Sequence, residues 1–469
     1  MANKQRFSDE SNKHYRYSSA DDLLANLDDL SKMIEHHISN QRPRLQTLEN
    51  YYKGNNESIL QANRRKEEHL ADHRAAHNFA KYVSQFIQGY MVGVPLKTTY
   101  PDEGTDEQIR DINRLNDADE HNSDLVLHQS IYGRAYELLY RNSRDETRFT
   151  ISDVKETFVV YDDTVEMNPI AGVRYFSNQF NDDTIFVHVY TDKFIFQYKT
   201  EDKNSYKLTL QEESPHFFDG VPIIEYQNNK FRQGDFEDVL NLIDLYDAAQ
   251  SDLANYSQDT NDAYLVMKGN LDIDVESAKK MKDNNIILLQ SEPSIDGKAS
   301  DTDAFYIYKQ YDVQGMEAYK TRLQNDIFMF TSIPNMLDEH FGGNQSGEAL
   351  KMKLFALSQK RAIKERLFKK SLRDRYRLIN NVMTTASEGG FDVSEISITF
   401  TENLPKSINQ ELDWFSKLGG RLSDETLLSL LSFVENPKEE LEKIEEENKL
   451  NKPIYECETP QDEEYVSNN

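Results

Sequence analysis

The spacing of apolar residues predicts helices in the first third of the chain. Leu23, Leu27, Leu30 and Ile34 recur at helical intervals after Ser19, which is typical of a helix N-cap. The other helices predicted here cover 42–52, ending at Gly54, then 78–87, stopping at Gly89, and two stretches between 106 and 132. Residues 1–18 are polar, lack this periodicity and are predicted to be mobile.

From Gly133 the pattern changes to short runs rich in Val, Ile, Tyr, Phe and Thr, separated by Asn and Asp turns. Strands are predicted over 135–140, 148–151, 157–161, 171–176, 184–191, 193–199, 205–209 and 221–226. We expect them to form a mixed or antiparallel sheet between about 133 and 228. Pro222 lacks an N–H donor and so places the last strand at a sheet edge or a strand start.

After Gly234 the helical period returns, over 235–263 and again over 312–330, ending at Ile333-Pro334. Between these helices lies a small α/β region at 264–311, with strands predicted over 264–267, 286–289 and 304–309 and a helix over 274–282. The two helices bring the ends of this insertion together, so it should project from the end of a helical stalk.

A small-residue loop and a long helix follow. The loop comprises Phe341, Gly342, Gly343, Asn344, Gln345 and Ser346. Ser346 is a candidate N-cap, and neither Pro nor Gly interrupts the chain from Glu348 to Glu388, so a helix of roughly 30 residues, about 45 Å long, is predicted. A strand is predicted over 396–401, and acidic helices over 407–418, 423–434 and 439–447. The tail after Pro453 is predicted to be disordered.

The charge of the long helix is unusual for this chain. Eleven Lys and Arg against three Asp and Glu between Ser346 and Asn380 give +8, in a chain of net charge −28. The candidate functional residues of this basic helix are Lys351, Lys353, Lys360, Arg361, Lys364, Lys369 and Lys370. An ordinary solvated face would mix both signs. We therefore consider two roles: the helix pairs with acidic neighbouring subunits, or it approaches the phosphates of a polyanion. Charge reversal of Lys364, Lys369 and Lys370 would abolish assembly in the first case only.

Composition restricts the function classes. The chain has 469 residues, of which 38% are hydrophobic, 29% charged and 11% aromatic, so it is polar but too aromatic for a disordered protein. The single cysteine, Cys457, allows no disulfide within one chain and fits a reducing cytoplasm. There is neither an apolar leader at the N-terminus nor a run of 18 apolar residues, so no membrane span is expected. The fold class predicted is α+β.

No catalytic motif is found. The chain has no P-loop, G-x-S-x-G, H-E-x-x-H or C-x-x-C sequence. His73 and His77 are four residues apart, but without a neighbouring Glu motif we interpret them as structural or solvent-facing. Acidic residues at the start of the helix after Gly234, Asp235 and Glu237 among them, are explained by the helix dipole. We expect neither a metal nor another cofactor, and no enzyme.

Several segments, in order, resemble the portal proteins of tailed bacteriophages, of the type found in long-tailed phages of Gram-positive hosts. The residues that carry the resemblance are 51–54 (YYKG), 78–95 ending in GVP, 131–136 (IYGRAY), 220–229 (GVPIIEYQNN) with 234–237 (GDFE), 242–251 starting LIDLYD, and 341–350 (FGGNQSGEAL). Each is weak alone, but together they span roughly residues 20–450.

The resemblance implies a ring of about twelve subunits at one capsid vertex with double-stranded DNA passing along its axis. The implied parts are a wing (19–233 and the basic helix with its return, 347–399), stem helices (234–263 and 312–335), a clip (264–311), a tunnel loop (336–346) and a crown (400–450), with an acidic tail at 451–469. Asp235, Glu237, Asp244 and Asp247 lie in the stem.

It further implies that the ring works as a homo-oligomer. Its partners would be the packaging terminase, the head-completion adaptor, and the major capsid and scaffolding proteins, without a membrane. The protein would be found in the virion, and in the host cytoplasm during assembly. DNA would be packaged and ejected through the channel. Two alternatives stay open: a nucleic-acid-processing enzyme that grips its substrate with the basic helix, or a capsid or scaffold interaction protein without a channel.

Overall fold

A computed structural model describes residues 6–61, 71–178, 180–202, 205–259, 264–268, 303–307, 312–336, 352–403 and 437–450, with short pieces within 274–280 and 415–434. The chain divides into two units, Met1–Asn403 and Leu404–Asn469. The predicted α+β class is confirmed, because long helices and antiparallel sheets alternate through the first unit.

The N-terminal segment is packed against the fold, contrary to the prediction that it is mobile. Strand β1 (Tyr15–Arg16) pairs in parallel with Val160 and Tyr161 of a later strand. Tyr15 is buried, with its ring 4.6 Å from that of Phe158. The local sequence is polar, and long-range contacts such as this pairing order it.

Helices follow in the order expected. They are α1 (Ala20–Ala25), α2 (Leu27–His36), α3 (Arg42–Tyr52), α4 (Glu57–Leu60), α5 (Phe79–Val92), α6 (Glu103–Leu115) and α7 (Ala118–Tyr132). The Ser19 side chain caps α1, and that of Asn78 caps α5. Helix α5 continues past Gly89, where the sequence predicted its end, because Tyr90, Met91 and Val92 are apolar and buried. α7 ends at Gly133, whose φ of +82° begins the turn into the strands.

The strands form two sheets and not the single sheet predicted. After β2 (Lys97–Thr99), which belongs to neither sheet, β1 is joined by β3 (Arg134–Arg141), β4 (Thr147–Ser152), β5 (Thr157–Tyr161), β6 (Pro169–Asn178), β7 (Asn181–Tyr190), β8 (Phe194–Asp202), β9 (Ser205–Pro215) and β10 (Ile223–Gln227). Six of them follow the order β1-β5-β6-β7-β8-β9, and three follow β10-β3-β4. The split arises because β10 returns to β3, a long-range pairing without a local signature. As predicted from Pro222, β10 is an edge strand.

Two long helices carry the chain out to the insertion and back. α8 (Leu240–Asp259) and α9 (Val313–Thr331) contact each other. Beyond them, β11 (Tyr264–Lys268) pairs antiparallel with β12 (Asp303–Ile307). Two of the three strands predicted in the insertion are therefore present. The third, at 286–289, lies outside the described residues.

The basic helix is α10 (Phe355–Thr385), and its 31 residues make it about 47 Å long. It is followed by β13 (Ser397–Thr399), which pairs antiparallel with β2. The second unit contains α11 (Asp424–Ser429) and α12 (Pro437–Leu450). Of the acidic helix predicted over 407–418, the structure describes residues 415–418, which are helical.

Two hydrophobic cores hold the first unit together. One covers a face of the six-stranded sheet, where Leu23, Leu30 and Ile34 of α1 and α2 pack on strand residues such as Val173 and Val187. The other joins α10 to the three-stranded sheet and to α5, α6 and α7, and the wholly buried Phe368 belongs to it. The basic helix is thus built into the interior of the fold.

Candidate functional site

The predicted tunnel loop lies outside the described residues. This applies to Phe341, Gly342, Gly343, Asn344, Gln345 and Ser346, and also to Lys351 of the basic helix. Lys353 lies just before α10, and the remaining candidate residues fall on α10, on the segment before α8, and on α8 itself. The role of these candidate residues is therefore examined on α10, on α8 and on the segment before α8.

The inward face of α10 carries three of the helix's cations. Arg361, Lys364 and Arg375 are buried and alternate with the apolar residues Phe368 and Leu372 at helical spacing. A buried charge is costly unless it is paired and hydrogen-bonded. Each of the three indeed has an acidic partner in the same chain, a role that neither sequence hypothesis anticipated.

Lys364 forms a buried ion pair with Asp235. Its ammonium group lies 2.6 Å from Asp235 Oδ2, and Lys360 lies 3.0 Å from Oδ1. Burial alone would favour the neutral acid, but the two ammonium groups hold the pKa of Asp235 well below its usual range. Asp235 is thus a charged anchor between α10 and the start of α8, and its N–H donates to the carbonyl of Ser130 at 2.8 Å.

Arg375 binds Glu137 in the centre of the three-stranded sheet. The two side chains are wholly buried, and Arg375 Nη2 lies 2.6 Å from Glu137 Oε1. Tyr226 donates its hydroxyl to Glu137 at 2.9 Å, and His121 Nε2 lies 2.6 Å away. Although burial would raise the pKa of Glu137, Arg375 and His121 lower it to about 2.

Arg361 completes the inward set at the first half of α10. It pairs with Glu365 on the next turn at 2.5 Å and with Glu402 at 2.8 Å. The half-buried Lys369 is placed with its ammonium group 5.4 Å from the centre of the Phe400 ring. These contacts attach α10 to the segment that follows β13.

The outward face of α10 carries exposed cations. Its second half exposes Arg366, Lys370, Arg373 and Arg377. Among the described residues, only Arg377 of these four forms an ion pair, with Asp374 at 3.2 Å. The basic helix is therefore divided into an inward face that is neutralised within the chain and an outward face that keeps most of its charge.

All four acidic stem candidates are also bound within the chain. Besides the pairing of Asp235, Glu237 accepts from Arg44 at 2.5 Å. Asp244 pairs with Arg6 at 2.8 Å, and Asp247 lies 2.9 Å from His77 Nδ1. The structure adds ion pairs to the helix-dipole explanation for Asp235 and Glu237: Glu237 lies in the short helical turn that runs into α8, and the two carboxylates are held by cations from α10 and α3.

The two histidines considered as a metal pair are not on a helix. His73 and His77 lie in the extended segment before α5. His77 binds Asp247, and the backbone N–H of His73 donates to Asn255 at 2.6 Å. Among the residues the structure describes, no group of three or more His, Cys, Asp or Glu side chains could hold a metal ion.

Several structural charges were missed from the sequence. Glu137, Arg134, Glu225 and Arg232 are all buried, and Arg232 lies 2.6 Å from Glu225. The sequence did contain a signal for Glu137, which interrupts the apolar run AYELLY in a strand with no polar alternation. A charge in such a strand requires a buried partner, but the sequence does not show that the partner is Arg375.

Near the junction of α9 and α10 the chain exposes large apolar side chains. Met329, Phe330, Met336, Met352 and Phe355 are between 47% and 79% exposed. The two helices meet here, because Lys360 donates to the carbonyl of Thr331 at 3.1 Å. We call these five residues the α9–α10 apolar patch. Large apolar side chains exposed near the ends of two neighbouring helices are candidates for a protein interface. In the part of the chain that is described, no helix is long and apolar enough to span a membrane.

This arrangement, an internally anchored basic helix beside a pair of long helices, occurs in a chain that matches a protein family over most of its length. The family model described as "Phage portal protein, SPP1 Gp6-like" matches residues 31–453. The chain therefore belongs to this family of phage portal proteins, and the resemblance inferred from the sequence is confirmed.

Two curated relatives carry the same description. The portal protein of Bacillus phage SPP1 is 24% identical over 397 residues, covering 80% of this chain and 76% of the relative. The portal protein of Clostridium phage phiCD119 is 23% identical over 399 residues, covering 81% and 86%. Among solved structures, the neck of a native GTA particle computed with C12 symmetry is similar at a TM-score of 0.41 and 13% identity, covering 75% of this chain and 89% of that one.

Portal proteins are structural, non-enzymatic components of the phage head and are found in the virion. The alternative that this chain is a nucleic-acid-processing enzyme is thereby excluded.

Proposed function

We propose that this chain is the portal subunit that assembles into a ring of about twelve copies at one capsid vertex, through which DNA is packaged and ejected. The observation that carries the proposal is the family match over residues 31–453, which includes every helix from α3 to α12. In the ring, the terminase and the head-completion adaptor dock in turn, while capsid and scaffolding proteins surround it. Assembly would take place in the host cytoplasm.

The parts of the chain suit this role. We assign α8 and α9 to the stem and the insertion between them, with β11 and β12, to the clip. The strands and helices before α8, together with α10, form the wing, residues 336–346 the tunnel loop and the second unit the crown. The ion pairs of Asp235 with Lys360 and Lys364 support this assignment, because they attach the start of the stem rigidly to the wing.

A ring closed by rotation needs two different surfaces on each subunit, one meeting the other on the neighbour. The α9–α10 apolar patch is one such candidate surface, because its side chains are exposed in the single chain. We expect it to be covered by the next subunit.

The decisive experiment is the native mass of the purified full chain, with negative-stain images of the same fraction. A ring of about twelve copies, with a central hole wide enough for duplex DNA, is the expected result. A closed dimer, or a ring whose centre is filled, would contradict the proposal and favour a capsid or scaffold interaction protein without a channel.

A further inference from the structure

The second half of α10 presents a continuous line of positive charge to solvent. Arg366, Lys370, Arg373 and Arg377 are exposed and spaced four, three and four residues apart. At 3.6 residues per turn they lie within about 60° of one another around the helix and extend over about 17 Å along its axis. We call these four residues the α10 cationic stripe.

Across the described ranges, most cations of the stripe are not paired with a carboxylate, unlike the inward cations of the same helix. Arg361, Lys364 and Arg375 are turned inward and paired with carboxylates. Within the described part of the chain, Arg366, Lys370 and Arg373 form no ion pair, and Arg377 reaches only Asp374 on its own helix. The stripe thus keeps a local positive charge on a chain of net charge −28.

The kind of partner follows from what the stripe lacks. Protein interfaces have an apolar centre, and the exposed large apolar residues of α10 are Phe355 and Ile363, both before the stripe begins. Between Arg366 and Arg377 none is exposed. Three of the four cations are arginines, whose planar fork fits phosphate oxygens. One strand of duplex DNA carries a phosphate every 3.4 Å, so about five phosphates span the length of the stripe.

We propose that the α10 cationic stripe is a contact for the phosphate backbone of double-stranded DNA. This inference rests on the proposed function and adds to it a surface of the subunit that contacts the DNA. Four cations per subunit are few, and the acidic remainder repels DNA. The contact should therefore be weak, independent of base sequence and easily displaced by salt, as suits DNA that has to move.

The test uses the full chain and a fluorescent duplex DNA, with affinity measured by anisotropy between 50 and 200 mM NaCl. The stripe variant combines Arg366→Gln, Lys370→Gln and Arg373→Gln. Loss of three phosphate contacts should reduce the slope of log affinity against log salt by about 2.7, so that the wild type's loss of affinity over this range exceeds the variant's by roughly 40-fold. Because these side chains are exposed, the thermal unfolding midpoint should stay unchanged.

A matched control removes the same charge elsewhere. The exposed Lys193, Lys207 and Lys230, each changed to Gln, alter the net charge equally. The control should keep the wild-type salt slope, and Arg366→Lys with Arg373→Lys should keep it as well. Equal effects of the stripe and control variants, or no binding by the wild type at 50 mM NaCl, would overturn the proposal.

Affinities are compared between fractions of equal native mass, which separates this inference from the proposed function. If the wild type forms no ring, the proposed function fails, while the salt slope of the monomer still decides the role of the stripe. If the stripe variant loses assembly but binds DNA like the wild type, the stripe meets acidic neighbouring subunits, and the DNA contact is wrong.

Discussion

At the residue scale, the chain is organised by buried ion pairs that join distant segments. Lys364 meets Asp235 across 129 positions, and Arg375 meets Glu137 across 238. Breaking such a pair is strongly destabilising, because it leaves one charge buried without compensation. Lys364 is therefore unsuitable for testing the function of the basic helix. Its reversal to Glu would unfold the segments joined by this pair before assembly or DNA contact could be measured.

For the same reason, Lys364→Met should lower the free energy of unfolding by about 3 kcal/mol. This loss is at the low end of what breaking a buried ion pair costs, because Lys360 still faces Asp235. The double variant Asp235→Asn with Lys364→Met removes both charges and should recover most of this loss. Urea denaturation of the monomer measures both. Lys370→Met, on the exposed face, is the control and should change stability by less than about 0.5 kcal/mol. A double variant no more stable than the single one would show that the pair is not the cause.

The Glu137 pair predicts an acid-sensitive stability. The pKa of Glu137 is lowered from 4.5 to about 2 in the folded chain. Between these values the unfolded chain binds more protons, so stability is complete above about pH 4.5 and falls as the pH drops towards 2, by about 3 kcal/mol in all. Glu137→Gln should be less stable at pH 7 and should lack this part of the acid dependence. Urea unfolding between pH 2 and 7 tests it, and parallel curves for both proteins would contradict it.

At the element scale, the helices and strands are held by partners far along the chain. α10 provides the clearest case, since its apolar residues enter a core shared with the three-stranded sheet and α7. The N-terminal segment is another. Arg6 reaches Asp244 of α8, and Asn12 donates to the carbonyl of Phe231 at 2.8 Å. This segment therefore ties α8 to the sheet.

Tyr15 and Arg16 are adjacent in β1 and provide a matched test of this role. Tyr15→Ala removes a buried ring that packs on Phe158 and should cost about 3 kcal/mol of unfolding free energy. Arg16→Ala affects an exposed side chain and should cost less than about 0.5 kcal/mol. Urea unfolding of both variants measures the difference. Equal stabilities would mean that β1 is not held in the fold.

At the scale of the whole molecule, charge and apolar surface are separated along α10. The residues around the end of α9 and the start of α10 expose the α9–α10 apolar patch, and α10 exposes the cationic stripe from Arg366 onward. These surfaces suit different partners, because apolar side chains gain from burial against protein and arginines from phosphate. Assembly and DNA contact can therefore be changed independently.

Accordingly, Phe330→Ser with Phe355→Ser should leave the monomer folded and prevent ring formation. Both side chains are 59% exposed, so their loss costs the single chain little, but it removes apolar area from the proposed subunit contact. Native mass measures the result. The control is Phe180→Ser with Phe217→Ser, which removes two exposed rings elsewhere and should still assemble. Rings formed by the patch variant would place the subunit contact on another surface.

The order of the longer helices and strands could be predicted from the sequence, because each follows from a period of apolar residues or from a nearby cap, whereas the short α4 and β1 were not predicted. α3 and the Ser19 cap of α1 depend only on neighbouring residues, and the sequence placed both correctly. The division of β3–β10 into two sheets was not predictable in this way. Strand pairing joins residues such as Ile223 and Leu138, 85 positions apart, and alternation within a strand does not name its partner.

The charge of the basic helix shows the same limit. The sequence alone determined that α10 is long and strongly positive, because composition and period are local properties. Only the tertiary structure decided which cations face Asp235, Glu137 and Glu402 and which face solvent. The physical reason is that burying a charge requires a counter-charge brought near by the fold, and neither the partner nor its distance is written in the residues beside it.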